Sequence, residues 1–193
     1  MTKTVLRIDT SARKTESASR ELADLVIERL APTKVITRDL ANPLPLIDET
    51  WVGANFTPPA DRTAEQTAAL ELSETLVAEI KEADTVVIGL PVYNFSVPAV
   101  FKAWVDLVAR AGVTFAYSEA GPKGLLEGKR AIVIVASGGV KLGSEADFSS
   151  AYVRFVLGFM GITDVEFVAA EGMAVDPAAA MAAANSAVEA LTV

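Results

Sequence analysis

The chain has 193 residues, 51% of them hydrophobic, and carries 17 basic against 25 acidic side chains for a net charge of -8. That length and apolar content suit one globular domain with a substantial core, and the negative charge disfavours a nucleic-acid surface or an anionic membrane, both of which call for clustered cations. Cysteine and histidine are both absent, which removes disulfides, catalytic thiols, thiolate metal centres, serine–histidine triads and the usual zinc clusters, so no metal is expected.

The N-terminus runs directly into a strand pattern without secretory features, and no stretch approaches the roughly 20 apolar residues of a membrane helix. The expected location is the cytoplasm. Residues 4–10 read as a first strand, and Leu22, Leu25, Val26 and Leu30 fall at helical spacing over 17–31. A short strand at 34–39 follows. Residues 41–62, rich in Pro, Asn, Asp and Thr around Trp51 and Phe56, form an excursion expected to pack on the body or on a partner. A helix over about 63–83 carries Leu72, Leu76, Val77 and Ile80 on one face, with Thr63 as N-cap and Gln66 three residues on. Residues 85–90 are a third strand.

After a short polar and aromatic loop comes a helix over about 98–111, with Phe101, Trp104, Val105 and Val108 on one stripe. Residues 113–128 read as a short extended piece and a mobile loop. The β-branched run 130–136 has the composition of a strand buried on both faces. A helix from about 146 to 161, a last strand at 164–170 and an alanine-rich helix over about 177–191 complete the chain. Five strands alternating with five helices imply an α/β, doubly wound parallel sheet with helices on both faces. The flavodoxin-like order 2-1-3-4-5 is its natural topology, with residues 1–193 as a single domain.

In such a sheet, ligands settle outside the carboxyl ends of the strands. Three loops there are unusual. The first, Thr10 to Ser19, offers hydroxyls and a helix N-terminus, which together make an anion site suited to a phosphate monoester. Arg13 and Lys14 stand where they can close over it. Ser17 or Ser19 as an ordinary helix cap is the competing reading. The loop lacks Gly-x-x-x-x-Gly-Lys-Ser/Thr and Gly-x-Gly-x-x-Gly, so a nucleoside triphosphate or dinucleotide loop is disfavoured. A hydroxyl-lined mononucleotide pocket in a five-stranded sheet points to FMN.

The second loop, Val92 to Ser96, offers the amides of Asn94 and Phe95 and the Asn94 side chain as donors to a flavin ring, with Val92 or Tyr93 covering an edge or face. The third offers Gly138 and Gly139, which permit close backbone approach. A tight turn is the other reading of the glycine pair, and core packing the other reading of Phe95.

Pro91-Val92-Tyr93-Asn94-Phe95, then Phe101-Lys102, then the run from Trp104 to Phe115 resemble the FMN-dependent NADH:quinone reductase and azoreductase family. Arg38-Asp39-Leu40 with Pro43 and Pro45, the Gly121–Leu125 turn and Gly158–Ile162 extend the resemblance over nearly the whole chain. It implies a homodimer with one FMN per subunit at the interface, and NADH as electron donor. The implied activity is two-electron reduction of quinones and azo compounds by ping-pong hydride transfer through FMN, with no catalytic side chain. By motif match, Ser11, Ser17, Ala18 and Ser19 resemble the family's phosphate loop. Pro91, Val92, Tyr93, Asn94 and Phe95 resemble its first ring-binding loop, and Ser137, Gly138 and Gly139 its second.

Aromatic residues resembling Phe95, Tyr117 and Phe159 line the family's substrate cavity. Phe159 also belongs to a stripe of Phe148, Tyr152, Phe155 and Val156, the pattern of a core or of a dimer interface. The chain departs from some members at Ser137, where they have arginine, and at Lys141, where they have histidine. Two other functions compete: a flavodoxin-type electron carrier, which passes single electrons to protein partners, and a cofactor-free signalling or binding module on the same sheet.

Overall fold

The computed structural model describes residues 3–119 and 121–192. Five parallel strands form the sheet: β1 (Thr4–Asp9), β2 (Lys34–Asp39), β3 (Thr85–Pro91), β6 (Arg130–Ser137) and β7 (Asp164–Glu171), in the order β2-β1-β3-β6-β7. Apart from a separate two-stranded hairpin, this order fits the expected 2-1-3-4-5. The hairpin pairs β4 (Phe115–Ser118) with β5 (Gly121–Gly124); within 113–128, expected as a short extended piece and a mobile loop, β4 is the extended piece and β5 is a second strand in the stretch expected as loop. The β5 sequence Gly-Pro-Lys-Gly has none of the β-branched or aromatic residues that mark strands. Ala120, which that expectation also covered, lies outside the described residues, as do Met1, Thr2 and Val193 of the expected domain.

Burial follows sheet position. All seven residues of β3 are buried, whereas the edge strand β2 buries none. Side chains of a strand alternate between faces, and two cores result. Leu6, Ile8, Val86, Ile88, Val133 and Val135 pack with α3 (Ala64–Glu82), α4 (Ala99–Val108) and α5 (Ser150–Met160). Val5, Val87, Ile132 and Ile134 pack with α1 (Ala18–Leu30) and α6 (Pro177–Ala190). Each such aliphatic side chain contributes about 1.5–3 kcal/mol.

Among the described residues, six α-helices stand where five were expected. The additional one, α2 (Glu49–Phe56), lies in the excursion, followed by a single 3-10 turn at Pro59–Asp61. The Asp48 carboxylate caps α2 by accepting from the Trp51 amide at 2.8 Å. Trp51 is buried on the body while Phe56 is left 77% exposed, so the two aromatics of the excursion have opposite fates. Helix α3 starts with the expected reciprocal pair, the Thr63 hydroxyl accepting from the Gln66 amide and the Gln66 side chain from the Thr63 amide. Its buried face is Leu70, Ser73, Leu76, Val77 and Ile80. Leu72 is only partly buried, because it falls to the side of that stripe.

Helix α5 begins at Ser150 rather than near 146. The Asp147 carboxylate accepts from the Gly143, Ser149 and Ser150 amides and from both serine hydroxyls, which holds 143–149 as a turn instead.

Candidate functional site

Strand register brings the three loops together. Asp9 pairs with Gly89 and Pro91 with Ala136, so the chain leaves β1, β3 and β6 at one edge of the sheet. Between these exits lies a cleft of about 380 Å³ lined by Ser11, Arg13, Glu16, Ser17, Ala18, Ser19, Pro91, Val92, Tyr93, Ala136, Ser137, Gly138, Met173 and Ala174. Ser11, Ser17 and Ser19 are 2%, 9% and 1% exposed, so three buried hydroxyls stand at the wall on either side of an exposed stretch, residues 12–16.

The helix-cap reading of Ser17 fails on geometry. Ser17 occupies the N-cap position of α1, yet its side chain makes no capping hydrogen bond; its hydroxyl lies 3.4 Å from that of Ser19. The Ala18 and Ser19 amides have no acceptor among the described residues. Unspent donors and the positive end of the helix dipole therefore meet at one place, the arrangement that binds anions.

The loop after β3 is a two-residue turn. Tyr93 and Ser96 exchange both backbone hydrogen bonds at 3.1 Å. Asn94 and Phe95 between them have φ of 50° and 70°, the sign required of both central residues in a type I′ turn. Asparagine tolerates this conformation, but phenylalanine is strained there. The Asn94 and Phe95 amides have no acceptor among the described residues, whereas the Val92 amide is spent on the Ala136 carbonyl at 2.8 Å. The Tyr93 hydroxyl accepts from the Ala12 amide at 3.2 Å, tying this loop to the first.

In the third loop the Ser137 hydroxyl accepts from the Val140 amide at 2.8 Å. Neither Gly138 nor Gly139 has a positive φ, so a turn does not by itself require glycine at either position. A Cβ on Gly138 would touch only the Ala174 methyl at 3.4 Å, and one on Gly139 would project into open space. The room that glycine leaves is therefore kept free by neither backbone strain nor protein packing.

Nine of the twelve expected cofactor-binding residues line the cleft; Asn94, Phe95 and Gly139 do not. Phe95 and Gly139 instead border an adjoining recess of about 480 Å³ with Val140, Lys141, Ser144 and Ala146. Asn94 borders neither, because the turn carries it outward. Arg13 lines the cleft as expected, and Lys14 does not. Sequence reading missed Glu16, Ala136, Met173 and Ala174. The last two come from the turn after β7, where the Met173 and Ala174 amides donate to the Ser137 and Gly138 carbonyls at 3.0 and 3.1 Å; the parallel order, which sets β7 beside β6, was the signal that pointed there.

Of the expected substrate residues, Tyr117 and Phe159 are brought together by Phe115, whose ring lies 5.5 Å from the first and 4.6 Å from the second. Phe95 is not part of this group. Its carbonyl accepts instead from the Phe148 amide at 3.2 Å.

Charge beside the cleft is balanced within the protein. Asp9 is 3% exposed, and its Oδ2 pairs with Arg7 at 2.9 Å and with Arg20 at 3.4 Å. Burial nevertheless holds this carboxyl above the ordinary carboxylate value. At Asp39 burial acts in the same direction but is outweighed by the Arg20 hydrogen bond and the Ala41 amide, and the net shift is downward.

Fold and cleft together define a doubly wound α/β protein with a mononucleotide-sized, anion-ready cleft at the carboxyl edge of its sheet. A family model for the flavodoxin-like fold matches residues 3–192. An FMN-dependent NADH:quinone oxidoreductase 1 of Jannaschia sp. (strain CCS1) is 59% identical over 97% of this chain and 97% of its own. One from Colwellia psychrerythraea is 52% identical, covering 96% of this chain and 98% of the relative. Among solved structures, an FMN-dependent NADH-azoreductase from Bacillus anthracis in complex with FMN superposes with a TM-score of 0.87 at 29% identity, over 97% of this chain and 96% of that one. The chain belongs to the flavodoxin-like fold family and, within it, to the FMN-dependent NADH:quinone oxidoreductases.

Proposed function

We propose that this chain is an FMN-dependent NADH:quinone oxidoreductase that also reduces azo compounds, working as a homodimer with one FMN per subunit. The carrying observation is the set of unspent donors at and beside the cleft, the Ala18 and Ser19 amides of the first loop and the Asn94 and Phe95 amides of the turn after β3. Those donors fit FMN by their chemistry. In this reading the Ser11, Ser17 and Ser19 hydroxyls and the Ala18 and Ser19 amides hold the phosphate, with the α1 dipole behind them. Pro91, Val92, Tyr93, Ser137 and Gly138 wall the cleft, and the amides of Asn94, Phe95 and Gly139 serve the ring from its rim. The room at Gly139 leaves space for such a contact.

FMN, when bound, supplies two-electron redox chemistry between NADH and a quinone or azo acceptor. The protein binds, orients and stabilises charge. Backbone N–H groups fixed by the two-residue turn and by the Ser137–Val140 turn present donors without further reorganisation. Tyr117, Phe159 and Phe95 offer apolar faces to planar acceptors. Tyr117 is 73% exposed and its role is packing or binding, so Tyr117→Phe keeps hydride transfer while FMN stays bound; loss of transfer in that variant would overturn the assignment.

The homodimer reading draws on Phe56, Phe95, Tyr117, Phe148 and Phe155, which are 77%, 58%, 73%, 63% and 72% exposed. Phe155 stacks on Phe159, which packs on Phe115 beside Tyr117, so part of this set is contiguous, and a contiguous apolar patch is the mark of an interaction surface. The compartment in this reading is the cytoplasm, which cell fractionation tests. Initial rates with NADH and a quinone varied together test the activity. Parallel double-reciprocal lines are expected of a single site used in turn by donor and acceptor, and intersecting lines or no turnover with FMN supplied would contradict it.

A further inference from the structure

Arg20 lies in the first turn of α1, its side chain 15% exposed, and does not line the cleft. Its donors go elsewhere. Nε donates to the Arg13 carbonyl at 2.9 Å and Nη2 to the Ser11 carbonyl at 3.0 Å. Nη2 also donates to Asp39 Oδ1 at 2.6 Å, and Nη1 lies 3.4 Å from Asp9 Oδ2. An arginine has five N–H donors in a fixed fork, and these four contacts commit nearly all of them.

The two carboxylates stand at the ends of neighbouring strands, Asp9 on β1 and Asp39 on β2, which are paired in register. Clamped between them, the guanidinium grips two carbonyls two residues apart in the loop between β1 and α1. In a trans peptide unit the C=O and the N–H point in opposite directions. Holding the Ser11 and Arg13 carbonyls toward Arg20 therefore turns the Ala12 and Lys14 amides away from it. The Ala12 amide is found on the Tyr93 hydroxyl. The Lys14 amide has no acceptor among the described residues.

We propose that Arg20 is the positioning residue of the phosphate loop: without touching the ligand, it fixes the peptide planes of Ser11 and Arg13 and so pre-forms the anion-binding wall of the cleft. This rests on the reading of that wall as the FMN phosphate site. The energetic logic is preorganisation, in which ordering a loop before the ligand arrives removes that cost from binding. The effect is centred on the phosphate, and the Ala12 amide on the Tyr93 hydroxyl is the contact by which it meets the loop after β3.

The test compares two ligands that differ by the phosphate alone. Flavin-free full-length protein is titrated with FMN and with riboflavin, following quenching of flavin fluorescence, in the wild type and in Arg20→Lys and Arg20→Gln. The expected result is an FMN Kd raised about tenfold or more, the cost of ordering about one loop residue on binding, with the riboflavin Kd moved far less. Asp39→Asn, which loosens the clamp from outside the loop, gives the same change at smaller amplitude and carries the test if the arginine variants do not fold. Equal weakening of both ligands would make Arg20 merely structural, and an unchanged FMN-to-riboflavin ratio would overturn the proposal. A wild type that binds the two ligands equally would instead overturn the phosphate-site reading beneath it.

Discussion

At the scale of single residues, the most informative feature is a bulky side chain in the wrong backbone region. Phe95 at φ of 70° stores strain of about 1–3 kcal/mol, and such strain concentrates where geometry serves binding. Phe95→Gly is expected to raise the unfolding free energy by about 1 kcal/mol while weakening acceptor binding, read as a higher urea midpoint together with a higher KM. A variant that loses stability would show that Phe95 is ordinary packing. This position was only half legible in the sequence. Asn-Gly announces a two-residue turn, but Asn94-Phe95 hides the second positive φ behind an aromatic ring. Ser11, Ser17 and Ser19 drew notice in the sequence as hydroxyls between a strand and a helix, but for Ser17 and Ser19 the sequence left a helix cap open, and only the missing capping bond of Ser17 speaks against it. Glu16, by contrast, enters the cleft through its own positive φ of 52°, which a glutamate does not advertise.

Elements are joined here by two contacts whose removal has a defined sign. A Cβ on Gly124 would sit 2.1 Å from the Gly161 nitrogen, so the β4–β5 hairpin lies backbone to backbone on the end of α5. Gly124→Ala should cost about 2–3 kcal/mol and displace the hairpin that carries Tyr117, lowering Tm and raising acceptor KM together; an unchanged Tm would contradict the contact. At the other end of α5, burial acts against the charge of Asp147, but hydrogen bonds from Ser150, Gly143 and Ser149 outweigh it and hold the carboxyl well below the ordinary value. For a depressed acid the stabilisation is fully present above the unfolded value near about 3.9 and is lost as pH falls below it. Asp147→Ala is therefore expected to cost about 2 kcal/mol at neutral pH, with the difference from wild type shrinking in denaturant melts below about pH 4. A constant difference across that range would remove the ionised cap from the account.

The regular elements were legible where composition and periodicity agreed: the buried runs of β3 and β6, the Thr63–Gln66 cap and the aromatic stripe of α4. The hairpin and α2 were not. Gly121–Gly124 is held by register and by the close approach at Gly161, and α2 by Trp51, by Asp48 and by the Arg110 guanidinium, whose Nε donates to Asn55 Oδ1 at 3.0 Å. Those are tertiary causes, and they leave no periodic trace.

Over the whole molecule, topology does the assembling: the order β2-β1-β3-β6-β7 sets three loop exits side by side, and the exposed aromatics lie outside both cores. If those aromatics form the homodimer surface, Phe155→Asp should shift the sedimentation coefficient from that of a dimer toward that of a 20.3 kDa monomer, a charge at an apolar interface being costly to bury. A wild type that sediments as a monomer at micromolar concentration would end that reading. The central claim, that strand-end loops of this fold bind FMN for two-electron transfer from NADH, is tested most directly by the visible absorbance of the FMN-supplied protein during an oxygen-free titration with NADH. The account predicts a bound-flavin band in the blue that bleaches in full with one equivalent of NADH. A protein that takes up no flavin, or a bleaching that halts at a long-lived one-electron form, would contradict it.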